Sequence, residues 1–195
     1  GHIGGLYHVF SHEKGVSPVL NVDLSSVLFS SVVSGEAGQV DAEYKLTLFD
    51  SDLSVAQTSG QEVTRNSDTV TVPYTITGNS AGNATQVSYL ITDKEWQAGN
   101  TDDTSVLAYG KINVDNFSTD STGTFTLPKE LSDKRCGIDY YAYIVAEEVN
   151  EGKLTDYAST PAAFSIPDKP FEAPEVYTMN IGTKPLYFNY DTGWK

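Results

Sequence analysis

The chain has 195 residues, 26 of them acidic and 12 basic, for a formal net charge of −14. That length buries roughly 70% of the unfolded surface, enough for a substantial core. The charge argues against nucleic acid and anionic membranes as partners, since both recruit Lys and Arg, and no apolar run approaches the ~18 residues a spanning helix needs.

Val, Ile, Thr, Tyr, Phe and Trp together make up 68 of the 195 residues, whereas Leu and Ala number 13 each. β-branched and aromatic side chains pack well on pleated sheets and lose rotamers in helices, so the composition predicts mostly strand. Cys136 is the single cysteine, so no internal disulfide forms, and a core of this size does not require one. The chain opens on glycine without a leader, which reads as a trimmed segment with Gly1 left from cloning.

In chain order, residues 5–11 (GLYHVFS) and 16–24 (VSPVLNVDL) are β-rich runs around His12-Glu13-Lys14-Gly15 and predict a hairpin. Residues 25–33 (SSVLFSSVV) predict a further strand, and Ser34 to Gln39 (SGEAGQ) a polar linker. From 41 to 167 apolar residues alternate with polar ones: Tyr44, Leu46 and Leu48; Val70, Val72, Tyr74 and Ile76; Val87, Tyr89 and Ile91; Phe125 and Leu127; Tyr141, Tyr143 and Val145; Phe164 and Ile166. A period of two means one face buried and one wet. Polar, glycine-bearing breaks at 78–82, 99–104, 115–123 and 150–153 separate about seven short strands, the pattern of an antiparallel sandwich. Residues 168–195 are broken by proline and glycine and predict two short strands, 175–181 and 185–190. The expected organisation is therefore an N-terminal hairpin and strand over 1–34, a sandwich over 41–167, and an edge hairpin or connecting segment over 168–195.

The run Asp139-Tyr140-Tyr141-Ala142-Tyr143-Ile144-Val145-Ala146 resembles strand F of an immunoglobulin or fibronectin type III domain. There a tyrosine at the strand start makes the tyrosine corner. That resemblance assigns the corner to Tyr141, turns Tyr143 and Val145 inward, and makes 150–153 the F–G turn. The Cys-Trp-Cys framework of antibody domains is absent. GVSPVLNVDLSSVLF at 15–29, LTLFDS at 46–51, LPKELSDK at 127–134, YYAYIVAEEV at 140–149 and TDYAS at 155–159 follow one another in this order. Together they resemble the junction between a lectin-like domain and an immunoglobulin-like module in large secreted proteins of clostridial-type Firmicutes. Two departures stand out: Ser17 occupies a position that is usually arginine, and the lectin-like body does not precede it. The resemblance implies an all-β immunoglobulin-like or fibronectin-III-like sandwich with short extra N- and C-terminal strands. It also implies an extracellular setting, secreted or attached to the cell wall, and carries over no binding site.

His8 and His12, with Glu13 beside them and His2 upstream, have the residue types of a zinc site. On a strand, however, positions four apart lie ~13 Å from each other, so exposed hairpin histidines are the simpler reading. Asp50 and Asp52, and Asp102 and Asp103, offer carboxylates for calcium but lack the spaced loop pattern, and read as solvated loop tips. Arg135 beside Cys136 would activate the thiol, but no histidine follows residue 12 to serve as its base. Lys45 lies on the first core strand, where some Gram-positive adhesins join a lysine to an asparagine of the last strand. Residues 159–166 hold no asparagine, so a solvent-facing lysine is expected. Trp96, Tyr109, Tyr140, Tyr187, Tyr190 and Trp194 are candidates for sugar stacking. Trp96, in a polar loop near Asp93, is the first choice, with Asp93 and Tyr109 as accompanying ligand-binding residues.

No GxSxG, HExxH, phosphate loop or CxxC occurs. The sequence thus predicts a non-catalytic extracellular module, a spacer or adhesion scaffold, with neither cofactor nor metal. Its expected partners are a glycan or a host or cell-surface protein, with a weak homodimer through the N-terminal strands. A carbohydrate-binding module is the alternative.

Overall fold

A computed structural model of the chain describes residues 23–97, 104–152 and 154–170, and the strands within 178–194. The expected hairpin over 5–24 lies almost wholly outside the described residues. Among the described residues fourteen strands follow in order: β1 (Val27–Ser34), β2 (Glu43–Phe49), β3 (Ser54–Gln57), β4 (Thr64–Asn66), β5 (Thr69–Thr77), β6 (Gln86–Thr92), β7 (Val106–Lys111), β8 (Thr122–Thr126), β9 (Tyr141–Glu148), β10 (Asp156–Ala158), β11 (Ala162–Phe164), β12 (Thr178–Ile181), β13 (Lys184–Asn189) and β14 (Gly193–Trp194). Helix among the described residues is limited to three single 3-10 turns.

The strands form three sheets. The largest runs β1-β2-β10-β9-β6-β7, with β11 also paired to β9. Its ladders are antiparallel except that β2 and β10 run parallel, Asp156 level with Thr47. The second sheet is built on β5, which pairs β3, β4 and β8. β12, β13 and β14 form an antiparallel sheet of their own.

The main core lies between the first two sheets. Val70, Val72 and Tyr74 of β5, with Phe125 of β8, meet Val87 and Ile91 of β6 and Ala142, Ile144 and Ala146 of β9. Tyr89 stacks on Phe125 with ring centroids 4.1 Å apart. A second apolar cluster covers the opposite face of the large sheet, where Leu90, Tyr143, Val145 and Ala158 pack with Leu28 and Trp96. The sheet curls around this cluster until its ends approach: the ring of Phe29 on β1 meets that of Tyr109 on β7 edge-on at 4.9 Å.

The mostly-β, sandwich-like character is as expected, and two local expectations are corrected. SGEAGQ is no free linker, because β1 and β2 on either side of it pair antiparallel and it supplies most of their connection. Tyr140, just before β9, and Ala142, Ile144 and Ala146 on it face the main core, while Tyr143 and Val145 face the second cluster. A strand buried on both faces has no wet side for the period of two to reveal.

Candidate functional site

The curled face of the large sheet carries apolar side chains at its centre and polar ones toward the β9–β10 turn. Side chains alternate along a strand and paired residues share a face. From Thr92 and Tyr141, the β6–β9 register sets Ser88 beside Val145 and Gln86 beside Glu147. The β9–β10 register sets Glu147 against Ala158, and the β2–β10 register sets Asp156 against Thr47. Lys45, Thr47, Ser88, Glu147 and Asp156 therefore project to one side, away from the main core.

Two linked arrangements result. Glu147 is 2% exposed and takes three donors: the Tyr109 hydroxyl on Oε1 at 2.6 Å, and the Ser88 hydroxyl and the Gln86 amide on Oε2, the amide at 2.9 Å. A buried carboxylate is tolerated when its lone pairs are met in this way. Burial, and next the charge of Glu147, push the Tyr109 phenol well above its ordinary range. Beside this group, Lys45 Nζ lies 2.7 Å from Asp156 Oδ1, with side chains 9% and 12% exposed. Lys45 Nζ also donates to the Asn150 carbonyl at 2.6 Å, and the Asn150 amide donates to Asp156 Oδ1 at 2.6 Å. One residue of the β9–β10 turn, Asn150, thus holds both members of the ion pair through its backbone N–H and C=O. The expectation of a solvent-facing Lys45 is overturned: β10 lies directly beside β2 and brings a carboxylate onto the lysine's own face.

The ligand-binding candidates are not gathered into one platform. Tyr109 is bound to Glu147 and packed on Phe29. Trp96 is half-buried, its ring 5.9 Å from Phe49 and 6.4 Å from Tyr143, and its amide donates to the Tyr143 hydroxyl at 2.8 Å. Asp93 braces the β6–β7 connection by accepting the Ser105 amide at 2.7 Å. Asp50 Oδ1 accepts the Asp52 amide at 2.8 Å, and Asp52 Oδ1 the Asn79 side chain at 3.4 Å. Burial pushes the Cys136 thiol up, away from the reactive thiolate. Tyr140 is fully buried in the main core. His2, His8, His12, Glu13, Asp102, Asp103 and Tyr190 lie outside the described residues, and the side chains of Tyr187 and Trp194 are not described.

A second polar cluster joins the β4–β5 turn to the segment between β8 and β9. Arg65, 8% exposed, donates to the Ser67 and Ser132 carbonyls at 2.7 and 2.6 Å and lies 3.4 Å from Asp68. The Ser132 hydroxyl donates to Asp68 and is the main cause of its carboxyl lying below the ordinary range.

Sequence reasoning passed over Glu147, Asp156, Asn150 and Arg65. One signal for Glu147 was present: a carboxylate directly following an apolar run of strand residues. No family model, no curated protein and no solved structure matches this chain.

Proposed function

We propose that this chain is a non-catalytic spacer and adhesion scaffold, an immunoglobulin-like module of a secreted or wall-attached bacterial protein. The observation that carries the reading is the parallel pairing of β2 with β10, tied by the Lys45–Asp156 pair. β2 leads into the sandwich and β10 lies near its exit. A load that draws them apart lengthwise shears several backbone hydrogen bonds and a desolvated ion pair together, instead of unzipping them singly. The strand arrangement supports the immunoglobulin-like assignment: β3 and β8 flank β5 in one layer, and β10, β9, β6 and β7 follow one another in the other. The family resemblance of the sequence phrases supports the extracellular setting. The glycan-binding alternative requires a free aromatic face, and the Trp96 ring is instead packed beside Phe49 and Tyr143.

Single-molecule pulling between residues 43 and 166 tests the scaffold reading. The expected result is a barrier that falls clearly in Lys45→Ala. A wild-type chain that yields at the same low force as Lys45→Ala would overturn it. In glycan binding assays the scaffold reading expects no Trp96-dependent signal, and such a signal would favour the carbohydrate-binding module.

A further inference from the structure

We propose that Lys45 and Asp156 condense to an intramolecular amide, covalently joining β2 to β10 with the loss of one water. The inference rests on the geometry of the pair, not on the scaffold reading above. Lys45 Nζ and Asp156 Oδ1 are 2.7 Å apart, on side chains 9% and 12% exposed. Amine and carboxyl are therefore in direct hydrogen-bond contact with bulk water largely excluded.

Fixing two groups in this way is worth effective molarities of about 10⁵–10⁸ M in well-oriented intramolecular reactions. That lowers the barrier to an amide condensation, and keeping bulk water from the pair disfavours the reverse hydrolysis. The step needs no co-reactant. One proton passes from the Lys45 ammonium to Asp156 Oδ2, leaving a neutral amine and a carboxylic acid. Nζ attacks Cγ, and the C=O electron pair moves to Oδ1. The Asn150 amide, 2.6 Å from Oδ1, is a fixed donor at the oxygen on which negative charge develops, the arrangement that stabilises tetrahedral intermediates. The intermediate then collapses: the Cγ–Oδ2 bond breaks, a second proton from nitrogen joins Oδ2, and water leaves. The nitrogen keeps one hydrogen, already directed by its 2.6 Å contact toward the Asn150 carbonyl. Atoms and charge balance, since an ammonium and a carboxylate become a neutral amide and water.

The position on the fold gives the bond a consequence. It closes residues 45–156, which include β3 to β9, into one covalent loop. Thr47, 2% exposed, and Glu147, held by its three donors, flank the pair on the same face. They keep that face ordered and dry.

Intact-mass measurement on the full chain tests the proposal. The expected mass is lower than the sequence mass by one water molecule. Proteolysis and tandem fragmentation should yield a branched peptide joining the Lys45 and Asp156 segments. Lys45→Arg, which keeps the positive charge but cannot form this amide, and Asp156→Ala should both restore the full mass of their sequences. The wild-type measurement stands even if a variant does not fold. A folded wild-type chain that keeps its full mass after prolonged incubation at neutral pH overturns the proposal, as does a water lost at any other pair of residues.

Discussion

Tyr140, just before β9, and Tyr143 on it face different apolar clusters and show how far a side chain's worth depends on its polar atom. The Tyr140 ring is fully buried in the main core, and its hydroxyl finds no partner among the described residues. Burial pushes that phenol up to about 12. An unpaired buried hydroxyl costs about 1–3 kcal/mol of lost solvation, so Tyr140→Phe is expected to stabilise the fold by about 1 kcal/mol in urea melts. Tyr143 instead accepts the Trp96 amide at 2.8 Å and packs against its ring. Tyr143→Ala is expected to cost about 3–5 kcal/mol, and a loss under about 1 kcal/mol would mean that the second cluster contributes little. The sequence marks both as strand tyrosines but not which has a partner. Trp96 reaches Tyr143 across 47 positions of chain, and no local pattern encodes that meeting.

At the scale of elements, the connections matter as much as the strands. Gly78 follows β5 with φ +104°, and a Cβ there would sit 2.0 Å from the Asp52 carbonyl oxygen. Left-handed strain and a backbone clash act together, so Gly78→Ala is expected to cost about 3 kcal/mol or more. Gly82, four residues on, has open space around its would-be Cβ. Gly82→Ala is expected within about 0.5 kcal/mol of wild type. Thermal melts of the two variants side by side provide the comparison. Sequence patterning located this turn and the alternation of β5, because Val70, Val72 and Tyr74 face one core and water lies on the other side. It misassigned the faces of β9, where Ile144 and Val145 are both fully buried. Neighbouring strands and a second cluster cover both sides of that strand, a circumstance set by sheet order and not by the strand's own residues.

For the molecule as a whole, the buried phenols set a limit on the alkaline side. Burial is the leading cause raising Tyr74, Tyr140 and Tyr143 above the ordinary phenol value of 10.0. Each therefore binds its proton more tightly folded than unfolded. Their joint contribution is fully present below about pH 10 and is lost as pH rises through the folded values. Melts from pH 8 upward should show constant stability to about pH 10 and a steep fall beyond it, with phenolate absorbance appearing together with unfolding. Phenolate absorbance rising fully before the fold is lost would show these rings to be open to solvent. The net charge of −14 adds self-repulsion. The melting temperature should thus rise as salt is brought from about 10 to 150 mM, where the screening length falls from about 30 to 8 Å.

By itself the sequence determined the class of fold. β-branched and aromatic residues alternating with polar ones, broken by glycine-rich turns, can bury one face only as sheet, and that information is local. The acidic balance likewise comes from composition alone. The tertiary structure decided which strands are neighbours, and with them the chemistry of the curled face. Lys45 and Asp156 are 111 positions apart in the chain and 2.7 Å apart in space. They meet because β10 runs parallel to β2, with Asp156 level with Thr47. Strand order is settled by how two layers and a second cluster bury their apolar faces together, a property of the packed whole that no single stretch of residues carries.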